Sequence, residues 1–136
     1  MSDGAFSIPS IPSEEGMSGE RPRALVCGSR DWQDLSLVES VLRELSPREV
    51  IHGGARGADA LVGVAAESLG IPVRTFPADW ARHGRAAGPI RNEQMLREGR
   101  PDLVVAFHDD PDLGRGTADM VRRALAAGVP VRVVHH

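Results

Sequence analysis

Five short apolar runs alternate with helix-like stretches along this chain, and that alternation limits the folds open to it. The runs are ALVCG (24–28), EVIHG (49–53), PVRTF (72–76), DLVVAF (102–107) and PVRVV (130–134). Between them, apolar residues recur every three or four positions, which is typical of helices that bury one face. Strands that alternate with helices indicate a parallel sheet. The sequence therefore predicts an α/β fold of about five mainly parallel strands, doubly wound, with helices on both faces.

The first 22 of the 136 residues differ in composition from the rest. They are rich in Ser, Gly, Pro and Glu and have no apolar period, which predicts a flexible N-terminal tail. They lack the basic and apolar regions of a secretory signal, and no apolar run approaches the roughly 18 residues that cross a bilayer. We expect a single folded domain, residues 23–136, in the cytoplasm and without a membrane partner.

The charge of the predicted domain argues against one class of partner. All 16 basic residues are arginine. Residues 1–22 account for the net charge of −3, so the remaining chain is neutral. A protein that holds a nucleic-acid backbone needs excess positive charge, so nucleic acid is not expected as a partner. The absence of lysine excludes Schiff-base chemistry on a lysine amine.

The turns that follow the predicted strands differ from those that precede them. The segments GSRDW (28–32), HGGARGAD (52–59), 77–92 and 108–120 all contain glycine and arginine, whereas the opposite turns SPR, GIP, GRP and GVP are short and plain. In open parallel sheets, ligands bind beyond the carboxyl ends of the strands, where strand order reverses. The asymmetry predicts that function lies on that edge.

Two of these turns are candidate anion cradles. In HGGARGAD, glycine lets backbone N–H groups converge on an anion, and the helix that follows adds partial positive charge. The segment is neither a Walker A motif nor GxGxxG, and a Gly-rich turn also serves tight strand–helix packing. The second turn, residues 114–117, opens the last helix with GRGT. Together they could hold two phosphates, or a phosphate and a ribose.

Helical spacing places two further polar side chains at the same edge. If AGPIRNEQMLREG (87–99) is a helix, Arg91 and Asn92 share the inward face with Met95 and Leu96, one turn nearer the helix start. An arginine there can bind phosphate through two N–H groups, and an asparagine can contact ribose or base. The alternative is a structural arginine paired with Asp79 or Asp109.

These motifs together resemble the YspA-related branch of the SLOG superfamily, which also includes the LONELY GUY nucleotide phosphoribohydrolases and the DNA-processing protein DprA. The resemblance covers residues 24–134 and rests on GSRD, GGARGAD, DW with AGPIRN, and GRGT. It implies a single-domain Rossmann-like sheet that binds a nucleotide or an ADP-ribose-like ligand, and a homodimer. It also aligns Arg91 with the arginine of the hydrolases' RKxxM motif, here RNEQM.

One position departs from the hydrolases. Their signature PGGxGTxxE ends in a catalytic glutamate, whereas LGRGTADM ends here in Met120, whose thioether cannot transfer a proton. Asp119 is rotated by about 100° around the helix and would serve only if the helix shifted. Base release by that machinery is not expected. The remaining candidates for catalysis are Asp59, Asp79, Asp109 and Arg91.

Several residues could either contact a ligand or serve only the fold. Trp80 could stack on a base or anchor packing. Asp59 could bond a ribose or favour the helix dipole. His52, His83 and His108 fit no standard metal pattern, so no metal site is expected. Cys27 lies in an apolar run and is expected to be an inert thiol.

Three functions stay open, namely a nucleotide sensor or carrier, a hydrolase of a nucleotide N-glycosidic bond, and a DprA-like module for single-stranded DNA. The first is preferred. The predicted ligand-binding residues are Gly28, Ser29, Arg30, Gly53, Gly54, Arg56, Gly57, Asp59, Trp80, Arg91, Asn92, Gly114, Arg115, Gly116 and Thr117.

Overall fold

The computed structural model describes residues 21–136. The predicted tail, residues 1–22, therefore lies outside the described residues except for its last two positions. The elements are β1 (Arg23–Gly28), α1 (Leu35–Leu45), β2 (Glu49–His52), α2 (Ala58–Ser68), β3 (Val73–Thr75), α3 (Trp80–His83), a 3-10 turn (Gly84–Ala86), α4 (Ala87–Gly99), β4 (Leu103–Phe107), α5 (Gly114–Ala126) and β5 (Val131–Val134).

The five strands form one parallel sheet in the order β3-β2-β1-β4-β5. The prediction of a doubly wound α/β fold is confirmed. The connection that leaves β3 crosses to the far side of β1, so strand order reverses between β1 and β4. This reversal places a crevice at the carboxyl ends of those two strands.

Alternate residues along each central strand face opposite cores. On one side, Val26 and Val105 pack with α1 and α2 in a cluster that includes Trp32 and Phe107. On the other side, Leu25 and Val104 pack with the apolar faces of α4 and α5. Both faces of the sheet are thus covered, which is why the strands read as continuous apolar runs.

The start of α1 is fixed by one carboxylate. The sequence offers two candidate caps, Ser36 with Glu39 in a capping box, or Asp34. In the structure Asp34 accepts a hydrogen bond from the backbone N–H of Leu37 at 3.0 Å, so Asp34 is the cap. Only one oxygen of this carboxylate is needed for capping, and the other faces the crevice between β1 and β4.

No helix in the described part of the chain is both long and apolar enough to cross a bilayer.

Gly57 lets two loops meet at the carboxyl edge. It has φ of 78°, and a Cβ on it would lie 2.3 Å from the carbonyl oxygen of Ser29. The same carbonyl accepts the N–H of Ala58 at 3.0 Å. The start of α2 is therefore fastened to the loop that follows β1, at a distance that leaves no room for a side chain.

We predict that Gly57→Ala destabilises the protein more than Gly70→Ala. Both glycines have positive φ, but a Cβ on Gly70 would meet nothing within 4 Å. Gly70→Ala should cost only the left-handed strain of about 1–2 kcal/mol, whereas Gly57→Ala must also push two backbones apart. Urea unfolding of the two variants measures the difference. Equal losses would contradict the close approach.

Candidate functional site

The candidate site is built by loops that leave the carboxyl ends of β1, β2 and β4, together with the first turn of α4. The loop after β2, residues 53–57, lies at its centre. Two of its neighbours are buried and titratable, Asp59 in the first turn of α2 and His52 at the end of β2. The hydrogen bonds that this loop makes within the protein determine which of its backbone groups are left for a ligand.

Asp59 and His52 hold the loop from inside. Oδ2 of Asp59 accepts the N–H of Gly53 at 3.0 Å and the N–H of Ala55 at 3.2 Å. Nδ1 of His52 accepts the N–H of Gly54 at 2.9 Å. The sequence interpretation assigned amides of this glycine turn to an anion, but these three donate to the protein itself. Ligand contact by Gly53 and Gly54 stays a prediction, and it cannot use those N–H groups while the loop keeps this shape.

Burial changes the titration of both groups. It raises the pKa of Asp59, although the amide of Ala55 and the nearby side chains of His52 and Arg91 oppose this shift. It lowers the pKa of His52, which keeps the imidazole neutral near pH 7. The carboxyl of Asp109, by contrast, has its pKa lowered by hydrogen bonds from His136. Of these two acid candidates, Asp59 alone is shifted in the direction of a proton donor.

Arg91 reaches the same loop from the other face of the sheet. Its Nη1 donates to the carbonyl of Gly53 at 2.7 Å, and its Nε donates to Oδ1 of Asn92 at 3.2 Å. A Cβ on Gly53 would lie 2.0 Å from Nη1, so the guanidinium fits only because the residue is glycine. Neither Asp79 nor Asp109 pairs with Arg91. Among the described residues Nη2 has no hydrogen-bond partner.

The pKa of Arg91 is lowered from its usual value, first because the side chain is partly buried. Asp59 opposes this shift, while the positive charge of Arg30 adds to it. Arg91 and Arg30 are thus close enough to repel each other. An anion between them would relieve that repulsion.

Asn92 links two helices. It is buried, and its Nδ2 donates to the carbonyl of Gly116 at 3.2 Å and to Oδ2 of Asp119 at 3.0 Å. Its Oδ1 accepts from Arg91, so both ends of the amide are occupied. Asn92 therefore ties α4 to the first turn of α5, with its Nδ2 donors used within the protein. Its contact with ribose or base stays a prediction.

Neither Met120 nor Asp119 offers a free acid at the position of the hydrolases' glutamate. Met120 is fully buried in the core between α5 and the sheet. Asp119 accepts hydrogen bonds from Asn92, Arg122 and Arg123. Burial alone would raise the pKa of Asp119, but those hydrogen bonds and the charge of Arg123 outweigh it and lower the pKa. The carboxylate is thus held ionised.

Among the described helices, α2, α4 and α5 have no side-chain cap at the N-terminus. Because α4 continues directly from a 3-10 turn, α2 and α5 are the two that begin at a loop. The N-cap of α2 is Gly57 and that of α5 is Leu113, whereas α1 and α3 are capped by Asp34 and Asp79. First-turn N–H groups have no partner within their helix and carry the positive end of its dipole. Uncapped N-termini of this kind bind anions.

Exposed arginines surround these N-termini. Arg30, Arg56 and Arg115 form no ion pair with any residue that the structure describes. A Cβ on Gly116 would meet nothing within 4 Å, so a ligand can approach the backbone there, while Thr117 is buried. We call Arg30, Arg56, Arg91 and Arg115 with the first turns of α2 and α5 the arginine rim.

The two tryptophans have different surroundings. Trp80 is 51% exposed at the start of α3, and its outer ring lies near Gly88. Trp32 is only 4% exposed and packs against Phe107, as expected for an anchor at the start of α1. Burial raises the pKa of Cys27 far above its usual range, which keeps that thiol protonated.

Comparison with known proteins gives the family. A model described as "YspA, cpYpsA-related SLOG family" matches residues 22–83. The Gene 61 protein of Mycobacterium phage D29 is 39% identical over 121 residues, which cover 80% of this chain and 93% of that protein. The chain belongs to the YspA, cpYpsA-related SLOG family. The resemblance noted in the sequence is confirmed.

Weaker similarities extend to larger proteins. The aspartokinase of Mycobacterium tuberculosis is 35% identical over 115 residues, or 70% of this chain, but the match spans only 27% of the aspartokinase. The bifunctional protein GlmU of Agrobacterium fabrum is 31% identical over 94 residues, 63% of this chain and 20% of that protein. The family model itself covers the loops after β1 and β2 and ends before Arg91 and α5.

This SLOG protein also has a cleft of ≈590 Å³ between the loops after β1 and β4. His136 lies in it, with its imidazole stacked on Trp32 at 4.6 Å between ring centroids and 14° between planes. Nε2 is 2.8 Å from Oδ2 of Asp34, and Nδ1 is 2.9 Å from Oδ2 of Asp109. Sequence reasoning missed this arrangement. The available signals were the tryptophan and carboxylate in GSRDWQD and the acidic run HDDPD after β4.

Carboxylates surround this imidazole, but they do not form a metal centre. No group of three His, Cys, Asp or Glu residues in the described chain is arranged to hold a metal ion. Hydrogen bonds to Asp109 and then to Asp34 raise the pKa of His136. Hydrogen bonds from His136 in turn lower the pKa values of Asp34 and Asp109.

We predict that His136→Ala lowers the Tm more at about pH 5.5 than at about pH 9. Because the folded pKa of His136 is raised, its stabilising contribution is present below the ordinary histidine pKa and is lost as pH rises through the folded value. Asp34 and Asp109 have lowered pKa values. Their contributions to stability are therefore lost only as pH falls through the pKa values that they have in the folded state. Thermal unfolding across this range measures the effect, with His135→Ala as control. A Tm difference independent of pH would contradict the ion pairs.

Proposed function

We propose that this protein binds a nucleotide or a nucleotide-derived small molecule, such as an ADP-ribose-like compound, as a sensor or carrier. The phosphate groups contact the arginine rim at the carboxyl ends of the strands. Arg91 is the main support for this proposal, because the carbonyl of Gly53 holds it at the rim while its Nη2 has no partner in the described part of the chain. Membership of the SLOG family supports the ligand class.

The balance of charge at the rim favours an anion. Asp59 is a buried carboxylate that is hydrogen-bonded to the turn, and Arg91 opposes its charge. Arg30, Arg56 and Arg115 form no ion pair with any described residue and lie beside the uncapped N-termini of α2 and α5. Guanidinium groups and helix N-termini both bind phosphate, and an exposed anion is the group that satisfies them together.

We also propose a location, a set of excluded partners and an oligomeric state for the protein. The protein acts in the cytoplasm, without a membrane or nucleic-acid partner. It forms a homodimer through α5, where Leu125 is 60% exposed. The neutral charge of residues 23–136 argues against the DprA-like alternative, because a single strand of DNA requires a positive groove.

We predict that nucleotides raise the Tm of the wild-type protein and that Arg91→Ala removes this shift. A ligand present at 100 times its Kd stabilises a protein by about 2.7 kcal/mol. The panel should include AMP, ADP, GDP and ADP-ribose. The control is Arg97→Ala, because Arg97 lies on the same helix, is exposed and pairs with Glu93. Either the absence of a shift across the panel, or a full shift in Arg91→Ala, would contradict the proposal.

One observation favours a second function, hydrolysis of a nucleotide N-glycosidic bond. Asp59 is a buried carboxyl with a raised pKa, beside His52 and close to the rim. Such a group is suited to general acid catalysis. Chromatography of the same incubations decides between the two, since a carrier returns its ligand intact whereas a hydrolase releases free base.

A further inference from the structure

The cleft that holds His136 has chemistry opposite to that of the arginine rim. Carboxylates from two loops line it, Asp31 and Asp34 after β1 and Asp109 and Asp110 after β4. No arginine in the described chain lines it. A phosphate would be repelled here, so this space belongs to an uncharged or donor-rich part of a ligand.

The imidazole of His136 shows what kind of group fits the cleft. It is a flat nitrogen heterocycle that lies parallel to the indole of Trp32. Both ring nitrogens are within hydrogen-bond distance of a carboxylate, one from each loop. The cleft thus combines an aromatic floor with acceptors at opposite edges of the ring. With a volume of ≈590 Å³, it also lies within the size range of small-molecule sites.

Ionised carboxylates accept hydrogen bonds and cannot donate them. A base bound between Asp34 and Asp109 must therefore present N–H groups. Guanine presents two adjacent donors, N1–H and N2–H₂, on one edge, and these match the two oxygens of a single carboxylate such as Asp109. Adenine presents one amino group beside the acceptor N1, whose lone pair would face a carboxylate.

The loop after β1 joins the cleft to the rim. Its Ser29 lines the cleft, while the next residue, Arg30, lies close enough to Arg91 to affect its pKa. Both regions also border the crevice where strand order reverses. A nucleotide with its phosphates on the rim can extend its base along this loop into the cleft.

We propose that the Trp32–Asp34–Asp109 cleft is the base subsite of this protein and that it selects a guanine-type base, whose edge carries hydrogen-bond donors. In the absence of a base, His136 occupies the cleft, and a bound base displaces its imidazole. This inference rests on the proposed nucleotide function and extends it to base identity and to a competing side chain. Asp34 keeps Oδ1 on the start of α1, so only its Oδ2 is exchanged between His136 and the base.

Calorimetric titration of the full chain with guanosine and adenosine tests the subsite without phosphate. We expect His136→Ala to bind guanosine more tightly than wild type, because the cleft no longer has to be vacated first. We expect the affinity of His136→Ala for adenosine to be lower than its affinity for guanosine by a factor of about ten or more. Asp109→Asn should weaken guanosine binding. His135→Ala is the control and should behave as wild type, because in the described chain the His135 ring is hydrogen-bonded to the carbonyl of His136 and not to a carboxylate.

Two outcomes would overturn the inference: equal guanosine affinity in His136→Ala and wild type, or adenosine binding as tightly as guanosine. A parallel titration with inorganic pyrophosphate separates this inference from the proposed function. If pyrophosphate binds in a manner that requires Arg91 while no nucleoside binds His136→Ala, the base subsite is wrong and the phosphate rim stands. If neither probe binds, both proposals are wrong. Circular dichroism of each variant verifies that it is folded.

Discussion

The peptide groups of Gly53 are the point on which the site depends. Its N–H is held by Asp59 from α2, and its C=O is held by Arg91 from α4. These helices cover opposite faces of the sheet, so two charged side chains close around the end of β2. A side chain at this position would displace the guanidinium, which occupies the space of a Cβ. The interaction fixes the turn and aims Arg91 at the carboxyl edge.

The carboxyl edge of the sheet therefore has a basic region and an acidic region side by side. Three amides of the glycine turn donate hydrogen bonds within the protein. The donors left for an anion are therefore the N-termini of α2 and α5 and the arginines. Beyond the loop after β1, carboxylates replace arginines around Trp32. The neutral net charge of the domain hides this division, because acidic and basic groups lie in adjacent regions of one crevice.

Much of the fold could be predicted from sequence because buried parallel strands are apolar throughout. The run at 102–107 became β4, and that at 49–53 became β2, each within one residue. The direction of Arg91 followed from helical spacing. The partners of Gly53, Gly54 and Asn92 could not be predicted, because side chains of the same loop or of a distant helix compete with a ligand for these groups. The pairing of His136 with Asp34 spans 102 residues and leaves no local pattern.

Because the amides of the glycine turn are bonded within the protein, we expect the N-termini of α2 and α5 to receive an anion. Two-dimensional ¹H–¹⁵N NMR of the full chain, titrated with inorganic pyrophosphate, distinguishes the two sets of amides. We expect the amide signals of Asp59, Ala60, Arg115 and Gly116 to shift, while those of Gly53 and Ala55 stay in place. Large shifts at Gly53 and Ala55, with none at the first turns of α2 and α5, would contradict it.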